Sequence, residues 1–347
     1  LLPVDKDEWD LIEVKSSTQV KDEHIDDVAF QRWCIEGAGV HLRRTHVMFV
    51  NNEYVRKGDI DPKQLLLMED VTEQVREKLP SVEENLKSML DAIRGPMPKV
   101  ELGVGCKTPK DCPICSMEIA DAEIPKLYYI GQKAWPLLNK GIRKIKDLPA
   151  DFKLNAKQEI QRKAFLSGKP HIDKETIRRF LKALRHPLYL LDFETIYPAI
   201  PLFDGTRPYQ QVPFQFSLHI ISKKGAAPRH VEFLADGPQD PRPALLKALK
   251  AIGPEGIVLA FNAGFEEGVL EDLAHAFPKE EAWLHGVISR IEDLIKPFRD
   301  FSYYHPGQHG SCSMKDILPA MTGKDYSDLD VQEGNQASRE YLRITYG

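Results

Sequence analysis

Cysteine is scarce in this chain, five in 347 residues, too few for the disulfide framework of a small secreted protein. Long apolar runs are missing as well. The longest, such as Ile257 to Phe261 and Leu188 to Leu191, fall far short of the roughly 18 to 20 residues needed to cross a bilayer, so no membrane partner is expected. Nor is there an excess of positive charge: 47 Lys and Arg stand against 52 Asp and Glu, a net −5, which gives the molecule as a whole no basic footprint. No internal repeat is visible, and a composition of 42% hydrophobic and 29% charged residues excludes collagen-like, low-complexity and wholly disordered chains. The start, Leu1-Leu2-Pro3, has no initiator methionine, basic n-region or apolar h-region, and the chain reads as an internal fragment.

What is present is unevenly spread. Between Lys140 and Arg185 there are 14 Lys and Arg against 5 Asp and Glu, a local +9 that leaves −14 for the remainder. Such a stretch is either a solvated helix face or a track for an anionic polymer. Three regions separate: 1–120, 121–186 and 187–347. The first predicts an α/β unit, with strand alternation over Trp9 to Lys15 and His41 to Val50, a helix over Ile25 to Ile35, and a helix over Val71 to Ile93 broken at Pro80. Val104 to Met117, rich in Cys, Pro, Gly and Lys, predicts no regular structure. The middle region is helical and basic. From Pro187 the pattern predicts strands over Leu188 to Phe193, Phe214 to Ser222, His230 to Leu234 and Ile257 to Phe261, with helices over Pro241 to Ala251 and Phe265 to Phe277.

In that last region Leu188-Tyr-Leu-Leu-Asp192-Phe-Glu194 is an apolar strand ending in two carboxylates at i and i+2, which period-2 geometry places on one face. They are either strand-end acids reaching solvent or a pair of hard oxygen ligands for Mg2+ or Mn2+. Ile257 to Phe261 then leads into Asn262-Ala-Gly-Phe265-Glu266, at a strand-to-helix turn where site residues of α/β sheets collect.

Asp-x-Glu followed by Asn-x-x-Phe-Glu resembles the first two motifs of the DEDD 3′ to 5′ exonucleases, although Glu266 stands where that superfamily has Asp. More closely, Asp192-Phe-Glu-Thr-Ile-Tyr-Pro-Ala-Ile-Pro, Phe203-Asp-Gly-Thr-Arg-Pro-Tyr-Gln-Gln-Val-Pro-Phe-Gln-Phe-Ser and Gly310-Ser-Cys-Ser-Met-Lys-Asp-Ile-Leu-Pro resemble the bacterial family known as domain of unknown function 2779, over roughly Ile177 to the end. The resemblance implies a ribonuclease H-like mixed sheet with flanking helices and two-metal phosphodiester hydrolysis, with Asp192 as shared ligand, Glu194 as ligand and orienter of the attacking water, and Glu266 as the outer acid. The third motif of such enzymes, Tyr or His followed by Asp, is expected beyond Gly347. The 18-residue loop from Thr195 to Val212 holds Tyr197, Phe203, Arg207 and Tyr209, which either pack the loop onto its own domain or meet nucleic acid, Arg207 first as a phosphate contact.

Near the other end, Glu13 and Lys15 share a strand face in Asp10-Leu-Ile-Glu13-Val-Lys15. Taken by itself this is a surface ion pair. With Gln31 on the following helix, it resembles the PD-(D/E)xK nucleases of the RecB and Cas4 type, which implies a partial restriction-endonuclease-like α/β domain with Glu13 as metal ligand and Lys15 and Gln31 as catalytic residues. The metal-binding Asp of that motif is expected upstream of Leu1, since Asp10, three residues from Glu13, points to the other face.

Three of the five cysteines, Cys106, Cys112 and Cys115, fall within ten residues, a set able to bind zinc or an iron-sulfur cluster. In Cas4-like nucleases three such cysteines and one far upstream hold a 4Fe-4S cluster, so the resemblance implies the cluster, with zinc as the alternative. Cys34, among Val28, Phe30 and Ile35, reads as a small buried hydrophobe, and the fourth ligand is expected outside the chain. Cys312 reads as structural. Leu137-Leu-Asn-Lys140-Gly141-Ile-Arg143-Lys144-Ile-Lys-Asp-Leu148 is either a plain helical connector or a degenerate helix-hairpin-helix, whose turn amides with Lys140, Arg143 and Lys144 would hold a phosphate backbone.

Together these readings predict a cytoplasmic metal-dependent nuclease whose partner is nucleic acid, DNA ahead of RNA. Asn262 joins Arg207 and the three basic residues as substrate contacts. The competing class is a non-catalytic nucleic-acid-binding or scaffolding module with relic sites. The 347-residue chain itself is expected to be weakly active or inactive.

Overall fold

The computed structural model describes residues 1–96, 101–108 and 110–347. It divides into two compact units, Leu1–Lys99 with Ile196–Gln211, and Val100–Thr195 with Val212–Gly347. Both are mixed α/β, and among the described residues no helix is long and apolar enough to cross a membrane.

The first unit runs β1 (Leu2–Asp5), β2 (Glu8–Lys15), α1 (Asp22–Gly37), β3 (His41–Val50), the single turn α2 (Pro62–Leu65), β4 (Leu66–Asp70) and α3 (Thr72–Arg94). The sheet order is β1-β2-β3-β4, with β2 and β3 parallel and the outer pairs antiparallel. A parallel pair needs a crossover, which α1 supplies. Leu11, Val28, Ala29, Val47, Val71 and Val75 form its core. The terminal nitrogens of buried Arg32 donate to Thr45 Oγ1 at 2.9 Å, the Leu42 carbonyl at 2.8 Å and Glu36 at 2.7 Å, while its Nε has no partner.

Two expectations fail in this unit. Helix α3 is continuous through Pro80: the ring removes one backbone donor, but Val75 and Val82, on either side of it, are both held in the core. Cys34, expected buried, is exposed; Val28 and Ala29 face inward on α1 and Cys34 does not. The segment Ile196–Gln211 also packs here, because Arg56 donates to the carbonyls of Pro201 at 2.9 Å and Leu202 at 2.6 Å, and the Tyr209 hydroxyl bonds the Ser16 carbonyl. Phe203 is buried. Phe203 and Tyr209 therefore pack within the first unit, while Tyr197 is exposed.

The second unit continues with α4 (Pro113–Glu118), α5 (Ala134–Asn139), α6 (Ala156–Ser167), β5 (His171–Ile172), α7 (Lys174–Ala183), β6 (Leu188–Ile196), β7 (Val212–Ile221), β8 (Arg229–Leu234), α8 (Arg242–Leu249), β9 (Ile257–Ala260), α9 (Gly264–Ala276), α10 (Glu281–Ile288), β10 (Ile291–Asp293), α11 (Lys296–Arg299), β11 (Tyr303–Tyr304), α12 (Met314–Thr322) and α13 (Gly334–Tyr346). Its main sheet has the order β10-β9-β6-β7-β8. Strands β6, β9 and β10 are parallel neighbours, and β7 and β8 are antiparallel. Tyr189, Leu191 and Phe193 of β6 enter one core with Phe216, Leu218, Leu245, Val258 and Leu270.

A separate small core joins Leu102, Cys106 and Cys115 to Ile124, Leu127, Trp135, Leu138 and Ile145. A boundary at residue 120 would cut through it, so the cysteine segment groups with the residues that follow. That segment is also more regular than expected, with a 3-10 turn at Val104–Cys106 and helix α4 opened by Pro113, a position where proline is well tolerated.

Gly256, at φ +90, leads into β9, and a Cβ there would stand 2.0 Å from the Pro187 carbonyl oxygen, the acceptor of the Ile257 N–H at 3.0 Å. Gly256→Ala is therefore expected to lower unfolding stability by at least about 2 kcal/mol, measured by urea denaturation; an unchanged midpoint would show that this strand pairing tolerates a side chain.

Candidate functional site

Packing of β6 orients its acids. Tyr189, Leu191 and Phe193 are buried, so the alternation sends Leu190, Asp192 and Glu194 to the opposite face. Leu188, Tyr189 and Leu190 align with Ile257, Val258 and Leu259, which brings Asp192 level with the turn after β9. In that turn Asn262 takes a left-handed φ of 65°, and Glu266 follows in the first turn of α9, buried. Strand β10 adds an acid that sequence reading missed. Asp293 aligns with Ala260, and its Oδ1 accepts the Asn262 N–H at 2.9 Å and the Ile295 N–H at 3.0 Å. A three-residue strand has too little periodicity to be seen in sequence.

Four carboxyl groups thus gather at the carboxyl ends of three parallel strands, where open α/β sheets bind ligands. Their electrostatics are unfavourable without a cation. Surrounding protein raises Asp192 above its ordinary value by partial desolvation, although the residue keeps contact with solvent. Burial and then the Asp192 charge raise Glu194. Glu266 is pushed up to about 7, by burial first and by the charges of Asp192, Asp293 and Glu267, against an opposing hydrogen bond from its own backbone. Its Oε2 is buried with no hydrogen-bond partner, a costly arrangement for a carboxyl oxygen.

Helix α13 abuts the strand. A Cβ at Gly334 would stand 2.9 Å from Glu194 Oε2, Ser338 Oγ donates to the Thr195 carbonyl at 2.6 Å, and Tyr341 stacks on Phe214 with centroids 4.1 Å apart. Glu340 and Tyr341 share with Glu194 a cavity of about 670 Å3.

Residues 189–313 match the family model described as domain of unknown function (DUF2779). No curated protein and no solved structure matches the chain. The DUF2779 span takes in Asp192, Glu194, Asn262, Glu266 and Asp293 together.

Outside the DUF2779 span, the first unit brings together Glu13, Lys15 and Gln31, and adds Asp27, which sequence reading missed. Lys15 Nζ bonds Glu13 Oε1 at 2.8 Å and also Asp27, while Gln31 Nε2 reaches Asp27 Oδ1 at 3.4 Å. The four-residue offset between Asp27 and Gln31 puts them on one helix face, the signal that was available. Desolvation opposes the Lys15 charge, but the bonds from Asp27 and Glu13 outweigh it and raise the lysine. Asp10 lies on the other strand face, buried and bonded by Arg43 Nε at 3.1 Å and Nη2 at 2.7 Å. Lys15 thus bonds both Glu13 and Asp27 and offsets one of their two charges.

The basic contacts divide. Arg207 and Lys140 are exposed, and Asn262 lies at the acid cluster. Arg143, however, pairs with Glu118 and Asp121, and Lys144 with Glu123. Past Gly141 the expected second helix is a single 3-10 turn, Ile145–Asp147, and the Ile145 amide is taken by Glu123 Oε2 at 3.0 Å. The Gly141, Ile142 and Ile145 amides of this turn are thus already bonded within the protein.

The three thiols meet. Cys106 and Cys115 are buried and Cys112 half-buried. Cys115 is pushed up to about 12 by its hydrogen bonds to Cys106 and Cys112 together with burial. Cys112, just before α4, is lowered by the Cys115 amide and thiol and the Ile114 amide. Among the described residues, no three His, Cys, Asp or Glu side chains already stand at metal-holding geometry.

Two outcomes follow. From its ordinary 4.5 to about 7, Glu266 ionises in the unfolded chain while staying protonated in the fold. Its contribution is therefore complete below pH 4.5 and lost as pH rises through 7. Glu266→Gln should flatten that slope, worth on the order of 2 to 3 kcal/mol at pH 8 in chelator, and an unchanged pH profile by thermal unfolding would show that the carboxyl is not buried. Iodoacetamide at pH 8 should alkylate Cys112 at least about tenfold faster than Cys115; mass spectrometry finding equal rates would contradict the amide-held thiol.

Proposed function

We propose that the second unit is a metal-dependent nuclease that hydrolyses phosphodiester bonds of nucleic acid, DNA ahead of RNA. The observation that carries this reading is the buried, unpartnered Glu266 oxygen among Asp192, Glu194 and Asp293 at the strand ends. A mixed sheet with helices between its parallel strands supports a ribonuclease H-like fold. The chemistry of the donor set, hard carboxylate oxygens with one left unsatisfied, suits Mg2+ or Mn2+, which Asp192, Glu194 and Glu266 would hold after side-chain adjustment. Such an ion supplies Lewis-acid charge at the phosphoryl group and lowers the pKa of water.

The chain's own residues account for the rest. Asp192 and Glu194, fixed by the packing of β6, orient water and phosphate. Glu194 accepts a hydrogen bond from the attacking water and orients it, and the proton that water releases passes to solvent. The water oxygen joins phosphorus, the bond to the leaving sugar oxygen breaks, and that oxygen takes up a proton. Asp293 is locked by two amides and holds the Asn262 turn in place.

Glu13, Lys15 and Gln31 support the competing, non-catalytic reading for the first unit, since one ammonium already bonds both Glu13 and Asp27. The meeting of Cys106, Cys112 and Cys115 supports a thiolate-bound 4Fe-4S cluster or zinc; iron or zinc content after anaerobic purification distinguishes the two.

Calorimetric titration should show Mn2+ binding that Asp192→Ala abolishes. Any Mn2+-dependent cleavage of labelled single-stranded DNA should fall at least about a hundredfold in the same variant, while Glu13→Ala leaves it unchanged. Mn2+ binding indifferent to Asp192→Ala would overturn the assignment.

A further inference from the structure

Beside the acid cluster lies a cavity of about 680 Å3 whose lining includes Lys126, Tyr128, Tyr129, Asn262, Arg299 and His309 and contains no carboxylate. Three of these residues, Tyr129, Asn262 and His309, have positive φ of 49°, 65° and 52° without being glycine. Residues with side chains take this conformation at a cost, and such residues cluster where function over-determines the backbone. Tyr129 is 85% exposed, yet its backbone is not loose. Buried Gln158 and Gln161 of α6 clamp the segment: Gln158 Nε2 donates to the Tyr128 carbonyl at 2.9 Å, and Gln161 accepts from the Tyr128 N–H and donates to the Lys126 carbonyl, both at 2.7 Å. Gly310 closes it from the other side, where a Cβ would stand 1.9 Å from the Lys126 oxygen. The Tyr128 and Tyr129 rings meet nearly at right angles with centroids 4.5 Å apart, and the Tyr129 side chain stays largely open to solvent.

Arg299 connects this cavity to the acids. Its Nη2 donates to Asn262 Oδ1 at 2.8 Å, and the Asn262 N–H is bonded to Asp293. An exposed, pre-positioned aromatic ring, two basic side chains and a run of polar groups leading to a carboxylate cluster form a combination that suits stacked bases and phosphates.

We propose that this cavity seats a nucleotide unit of single-stranded nucleic acid, with its base stacked on Tyr129 and its phosphate on Arg299 and Lys126. The proposal rests on the nuclease reading only for which bond is presented to the acids; the binding itself stands apart from it.

The test is fluorescence anisotropy of a fluorescein-labelled oligodeoxythymidylate with the 347-residue chain, in chelator so that nothing is cleaved. Tyr129→Ala should weaken binding roughly five- to a hundredfold, Tyr129→Trp should retain it, and Lys126→Gln should lower the slope of log affinity against log salt by about one. Because Tyr129 is exposed, an unchanged melting temperature in Tyr129→Ala separates lost stacking from lost folding. Wild-type affinity in Tyr129→Ala, or no binding by the parent chain, would overturn the subsite. Tyr129-dependent binding by a chain that neither binds Mn2+ nor cleaves would uphold the subsite and sink the nuclease reading. Asp192-dependent cleavage with binding indifferent to Tyr129 would do the reverse.

Discussion

Strand β6 carries two incompatible chemistries on its two faces, and the period of two keeps them apart. Tyr189, Leu191 and Phe193 can be buried together only if Asp192 and Glu194 point the other way. A one-residue slip would bring the acids into the core and the aromatics out, so hydrophobic packing fixes the aim of the carboxylates as firmly as a direct contact would. The parallel partners β9 and β10 then end at the same level and add Glu266 and Asp293. Each of these groups raises the cost of ionising its neighbours.

The surrounding residues are arranged to hold that crowding still. Asp293 is tied to two backbone amides, one of them from Asn262, whose left-handed backbone and side chain link the turn to Arg299. From there the polar groups run on to the Lys126–Tyr129 segment, pinned by two buried glutamines and by the close approach of Gly310. Side chains from distant parts of the sequence thus meet on rigid supports, the condition under which charge placement lowers a barrier without reorganisation at the moment of reaction.

Charge is handled differently elsewhere. In the first unit Lys15 sits between Glu13 and Asp27, Arg43 is bonded twice to buried Asp10, and Arg32 donates to three partners. Arg143 and Lys144 are likewise met by Glu118, Asp121 and Glu123. Matched charges of this sort hold segments together and leave little for a ligand. Among the described residues the buried side-chain atoms without a partner are Arg32 Nε, Arg162 Nε and Glu266 Oε2, and only the last is a carboxyl oxygen.

Local pattern determined much on its own: the strands at Trp9 to Lys15, His41 to Val50 and Leu188 to Phe193, the common face of Asp192 and Glu194, and the placing of Asn262 and Glu266 at a strand-to-helix turn all follow from periodicity and turn chemistry within a few residues. Tertiary structure decided the remainder. Asp293 lies on a strand too short to show a period, and Asp27 matters only because α1 crosses over β2. Cys34 was assigned inward from its neighbours' hydrophobicity, but the helix turned it out, since core contacts set which side of a helix is buried. Pro80 was outweighed by valines packed on both sides of it. The pairing of Arg143 and Lys144 with acids 20 or more residues away could not be read from a run of like charge, because whether a charge is free depends on which opposite charges the fold brings to it.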